Sequence, residues 1–116
     1  MKYIAFILSL FLTNLAHGAD ANSGQQDIIS VDVGPCTGTA TECVTVRLAG
    51  WTTQASCQTS AAAACDATKE SCKLIYAGVL AAKMANRKVR LYSHGGQCSV
   101  RGNSVGIANL TFFEIK

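Results

Sequence analysis

Histidine is scarce in this 116-residue chain: there are two, His17 in the amino-terminal leader and His94 alone beyond it. No two of the six cysteines have the C-x-x-C spacing, since the closest, Cys36 to Cys43 and Cys65 to Cys72, are each separated by six residues. A zinc site gathers four such ligands at short spacing, so neither a metal nor any other cofactor is expected. Charge is also thin, at 15% of residues, with 10 Lys and Arg against 7 Asp and Glu. Arg47, Lys69, Lys73 and Arg101 lie apart and build no dense basic stripe, so nucleic acid is not an expected partner. The one cluster, Lys83, Arg87, Lys88 and Arg90, falls where a predicted helix ends and offsets the negative end of its dipole. Among the carboxylates only Asp66 and Glu70 are closely spaced, and no nucleophile has an evident base. The chain is therefore expected not to be an enzyme; a small secreted hydrolase would have to rest on His94.

What is present begins with a leader. A basic start, Met1-Lys2-Tyr3, runs into an apolar stretch from Ile4 to Leu15, and the small residues Ala16 and Gly18 follow. This is the pattern of a secretory signal cut after Gly18, too short and too polar at Asn14 and His17 to span a bilayer. Residues 1–18 are read as the signal and 19–116 as a single exported domain, with no membrane span after cleavage and a secreted or periplasmic location. Loss of Lys2 leaves nine basic against seven acidic side chains. All six cysteines, Cys36, Cys43, Cys57, Cys65, Cys72 and Cys98, lie in that domain, and in an oxidising compartment they are expected to form three disulfides whose pairing the sequence does not choose. A domain of about 100 residues buries little surface, and each bridge adds roughly 2–4 kcal/mol by restricting the unfolded chain.

Periodicity lays out the elements. Residues 28–33 alternate as a strand, with Ile29, Val31 and Val33 on one face, and stop at Gly34 and Pro35. Residues 36–42 read as a loop clipped near its ends by Cys36 and Cys43 or by partners elsewhere. Val44, Val46 and Leu48 mark a second strand with one buried face. Gly50 to Thr53 is a turn, and 54–59 a short third strand. The alanine-rich stretch 60–67 favours helix. A firmer helix covers 68–86, with Cys72, Ile75, Tyr76, Val79 and Leu80 on one face and Asp66 or Thr68 as cap. Its other side carries Leu74, Ala77, Ala81 and Ala85 in place of charge, an apolar strip suited to a neighbouring subunit. Residues 88–94 alternate strictly, with Arg90, Tyr92 and His94 on the polar face, and 105–115 form a last strand with a bend near Asn109. Five short strands with a helix after the third predict a mainly β, disulfide-bonded, OB-like five-stranded barrel.

Two stretches suit ligand recognition. Trp51, Thr53 and Gln54 combine the only tryptophan with hydrogen-bonding side chains, and Arg90, Tyr92 and His94 add guanidinium, phenol and imidazole. An aromatic face to stack on, flanked by such groups, is what a sugar ring requires.

The strand ending at Gly34, Cys43 and Cys57 thirteen residues apart across a hairpin, and the helix running into Lys88-Val89-Arg90-Leu91-Tyr92 resemble the binding (B) subunits of bacterial AB5 toxins of the subtilase-cytotoxin and pertussis-like type. The similarity covers 28–92. It implies an OB-fold protomer, a cysteine pair bracketing the hairpin, and a homo-oligomeric ring of five with helices lining the centre. It also implies binding of a cell-surface glycan, often sialylated, with Ser23 near the position of a sugar-contacting serine, and delivery of a separate catalytic subunit. The leading expectation is thus a secreted, glycan-recognising toxin B subunit. The alternative is a small periplasmic or secreted inhibitor or interaction domain that caps a protein partner.

Overall fold

The computed structural model describes residues 20–116; the expected signal sequence and its expected cleavage point lie outside them. The chain is mainly β with one helix, in the order β1 (Ala21–Asn22), β2 (Ile28–Pro35), β3 (Glu42–Leu48), β4 (Ala62–Asp66), α1 (Glu70–Met84), β5 (Val89–Ser93), β6 (Ala108–Asn109) and β7 (Phe112–Ile115). The expected five-stranded barrel gives way to two sheets, ordered β1-β5-β7 and β2-β3-β4-β6. All neighbours are antiparallel except β4 and β6.

The alanine stretch departs most from expectation, forming a central strand where helix propensity was read. Ala63 and Cys65 join Val44, Val46 and Leu48 in the main core, together with Ile75 and Val79 of α1 and Val89 and Leu91 of β5. Ala62 and Ala64 point to the other side, where they meet Ala40, Cys43 and Ile107 in a second core. With both faces covered, β4 accepts only small side chains, and packing overrides local propensity. Residues 54–59, expected to be a strand, form a loop instead. The buried Gln58 amide accepts from Ala55 N and donates to Ser60 O, at 3.1 and 2.9 Å, which satisfies backbone groups that a ladder would otherwise hold.

The last segment also divides. Asn109 Oδ1 accepts from Val100 N at 2.8 Å and its Nδ2 reaches Ser99 Oγ at 3.0 Å. Leu110 N then donates to Ala64 O and Thr111 N to Tyr92 O, so the chain crosses from one sheet to the other within two residues. On β2 the expected face is broken by a register shift between Ile28 and Ser30, which leaves Ile29 60% exposed while Ile28 and Val31 pack on the core; Val33, past the shift on this edge strand, is 52% exposed.

The expected helix is present, burying Cys72, Ile75, Val79 and Ala82. Neither predicted cap operates as such: the residue preceding α1 is Lys69 without a side-chain cap, and the Asp66 carboxylate instead accepts from Thr68 N at 2.9 Å and Thr68 Oγ1 at 2.7 Å. Leu74, Ala77, Ala81 and Ala85 are exposed in the single chain.

Three disulfides form among the six cysteines. Cys36–Cys43 clips the β2–β3 loop and Cys65–Cys72 joins the end of β4 to the first turn of α1. Cys57–Cys98 ties the β3–β4 loop to the β5–β6 loop. Cys43 and Cys57, the pair expected to bracket a hairpin, are not bonded to each other. Three disulfides fit an extracellular or periplasmic compartment. Among the described residues no helix is long and apolar enough to cross a membrane.

Two outcomes follow from this packing. Gly78 lies against Phe113 of β7, so closely that a Cβ there would come within 2.2 Å of the ring. Gly78→Ala gains about 1 kcal/mol of helix propensity but forces apart a filled contact at roughly 1–3 kcal/mol, so thermal melts should show net destabilisation, relieved by Phe113→Leu. Cys57 and Cys98 are 41 residues apart, against 7 for each of the other pairs. Chain entropy then puts the loss on replacing Cys57 and Cys98 by serine near ~4 kcal/mol, against ~2 for either other pair, measurable by urea unfolding.

Candidate functional site

The three-stranded sheet turns its inner side, Val89, Leu91, Ser93 and Ala21, into the fold, all at 0% exposure. Its outer side is polar and aromatic. Across it, Thr53 pairs with Asn22, Asn22 with Tyr92, and Tyr92 with Phe112, so four residues from separate stretches of chain stand in one row. Cross-strand partners share a face, and the Tyr92 and Phe112 rings stack at 4.5 Å and 19°. Phe112 is 51% exposed.

The next row pairs Arg90 with Glu114. Tyr92 Oη donates to Glu114 Oε1 at 2.6 Å, Arg90 Nη1 donates to Tyr92 Oη at 3.4 Å, and Lys116 Nζ lies 3.6 Å from Glu114 Oε2. The Tyr92 hydroxyl, aided by Lys116 and Arg90, holds the Glu114 carboxyl below its ordinary range. The same hydroxyl, with Glu114 adding to it, raises the Arg90 guanidinium above its usual value. Arg90 Nε is buried with no hydrogen-bond partner among the described residues.

The predicted site residues divide. Arg90, Tyr92 and Thr53 come together on this face. Trp51 is half-buried, packs on the main core, and donates through Nε1 to Thr53 O at 2.8 Å, so its indole supports the Thr53 turn from behind. Gln54 is exposed past the Thr53 bridge. His94 stands one residue beyond β5, where its Nδ1 lies 3.2 Å from Asp20 Oδ2 while Gly95 N donates to Asp20 Oδ1 at 2.8 Å. These contacts, the Gly95 amide first, lower the Asp20 carboxyl. Ser23, placed near a sugar-contacting position by resemblance, is fully buried: its Oγ accepts from Leu91 N and donates to Gly24 O, which removes it from any surface site.

Asn22, Phe112 and Glu114 were missed in the sequence. The Phe-Phe-Glu-Ile run reads as apolar on both sides, and only its register against β5 shows that Phe112 and Glu114 point outward with Tyr92 and Arg90. A groove of about 310 Å³ elsewhere is lined by Asp66, Lys69, Ser71, Asn109 and Thr111 beside the Cys65–Cys72 bridge. Its carboxylate is already committed to Thr68, whose hydroxyl and amide lower it.

Compared with family models, characterised proteins and solved structures, the chain matches none.

The lowered carboxyls set an acid limb. Asp20, Asp66 and Glu114 each contribute stability that is present above their ordinary range and lost as pH falls through their folded values. Melting temperature should therefore be level near neutrality and drop in the acid range, and Glu114→Gln should flatten part of that drop.

Proposed function

We propose that this protein is an exported, non-catalytic binding domain that recognises a glycan on the outer face of β1, β5 and β7. The observation that carries the reading is the stacked Tyr92–Phe112 pair, in which Phe112, half-exposed on the edge strand β7, keeps the ring face turned away from Tyr92 for a sugar to stack on, beside Asn22 and Thr53 in the same row and Arg90 and Glu114 in the next. Sugars present C–H patches that stack on aromatic rings and hydroxyls that bond amides, carboxylates and guanidinium groups. The face is shallow, which suits the end or side of an oligosaccharide displayed on a surface better than a small metabolite needing enclosure. Three disulfides and a chain that begins like a secretory precursor support action outside the cytoplasm.

Within this reading the protein acts as the binding subunit of a toxin, assembling in a ring and carrying a separate catalytic subunit. The exposed strip Leu74, Ala77, Ala81 and Ala85 is the surface that would meet neighbouring copies.

A glycan array probed with the oxidised protein should return defined oligosaccharide hits. Tyr92→Ala combined with Phe112→Ala should weaken those hits at least about tenfold, as loss of a stacking platform predicts. Trp51→Ala should mainly lower thermal stability. Retention that survives the Tyr92 and Phe112 changes would remove the proposed site.

A further inference from the structure

Strand β2 is an edge of the four-stranded sheet, and its free side is well defined. Ala49 N donates to Asp27 O and Cys36 N to Thr41 O, while Leu48 N donates to Ala61 O and Ala67 N to Glu42 O. Alternation along the ladder therefore directs the backbone groups of Ser30, Asp32 and Gly34 toward β3 and those of Val31 and Val33 away from it, and Ile29, skipped at the register shift, turns its carbonyl outward to Lys83. Among the described residues no backbone group bonds these outward ones; the single contact is Lys83 Nζ, which donates to Ile29 O at 3.5 Å. Ile29 and Val33 are also the exposed large apolar side chains of this strand. A long apolar edge of this kind is a template for another strand.

We infer that this edge pairs with the same edge of a second copy, antiparallel about a two-fold axis through Val31. The occupant is chosen by self-complementarity. In this register Val31 faces Val31 of the second copy and Ile29 faces Val33, so three pairs of outward residues exchange both their hydrogen bonds and the exposed apolar side chains cover one another. Ser30 then stands opposite Asp32 of the second copy, hydroxyl to carboxylate, repeating between chains the 3.4 Å Ser30 Oγ–Asp32 Oδ2 contact made within one. A shift of one step would centre the axis on Asp32 and set its carboxylate against its own copy, at a cost in like-charge repulsion. Pro35, which lacks an N–H, and the register shift between Ile28 and Ser30 limit pairing to this central stretch. Lys83 gives up one exposed contact when the strands meet. The result joins two four-stranded sheets into one and leaves the Tyr92–Phe112 face free, so it stands independently of glycan binding.

Sedimentation velocity of the oxidised full chain up to about 1 mM should show concentration-dependent self-association that includes this dimer, whether or not the helix strip adds further copies. Ser30→Asp places carboxylate against carboxylate twice per dimer and should raise the dissociation constant about tenfold; Ser30→Lys places an ammonium opposite each Asp32 and should lower it by a similar factor. Val33→Pro removes an outward N–H and should abolish dimerisation, with far-ultraviolet circular dichroism reporting whether the variant folds. Because Ser30 lies on the strand's surface, its two substitutions decide the matter even if the proline variant does not fold. A wild-type chain monomeric throughout, or a dissociation constant unmoved by both Ser30 changes, would overturn the inference. Association lost on Leu74→Lys with Ala81→Lys but not on Ser30→Asp would overturn it in favour of the helix strip.

Discussion

The fold depends on one constraint: β4 runs between two cores and must present apolar surface on both sides. Val44, Val46 and Ala63 face the helix and the other sheet, while Cys43, Ala62 and Ala64 face the loops at 36–41 and 97–107. A strand buried on both faces carries no polar alternation, whereas the neighbouring β3 sets Thr45 toward the second side, where it is fully buried and hydrogen-bonded to Arg101 of the covering loop. The outer cover is irregular chain with little apolar area, and Cys36–Cys43 and Cys57–Cys98 hold it down where hydrophobic contact alone would be weak.

Much of this was legible in the sequence where a single face was buried. Val44, Val46 and Leu48, the Cys72-Ile75-Val79 stripe of α1, and Val89 with Leu91 were readable because one side meets the core and periodicity marks it. Ala62 to Cys65 was not, since a strand enclosed on both sides carries no period and alanine is also the best helix former. The final strand was misread as continuous for a related reason: the crossover is made by Asn109 and the backbone of Leu110 and Thr111, and long-range bonds of that kind leave no local signature.

The candidate site was legible by half. Arg90 and Tyr92 showed themselves through strict alternation, and the structure sets them on one outer face. Their partners did not, because Asn22, Phe112 and Glu114 are distant in sequence and join only through sheet register. Trp51 illustrates the reverse error: a lone tryptophan in a polar turn suggests a platform, yet its ring is drawn onto the core and only its N–H serves the turn.

Cys57 lies four positions after Thr53, and its bond to Cys98 runs to the loop that follows β5. The strip flanking β1 and the turn beyond Tyr92 are thereby fastened to a common point, although neither touches the other through side chains of the aromatic row. Opening that one linkage would leave the threonine end of the row held by the backbone bonds of residues 52 and 53 to 22 and 23 alone, so the steadiness of that end against the stacked rings depends on oxidation.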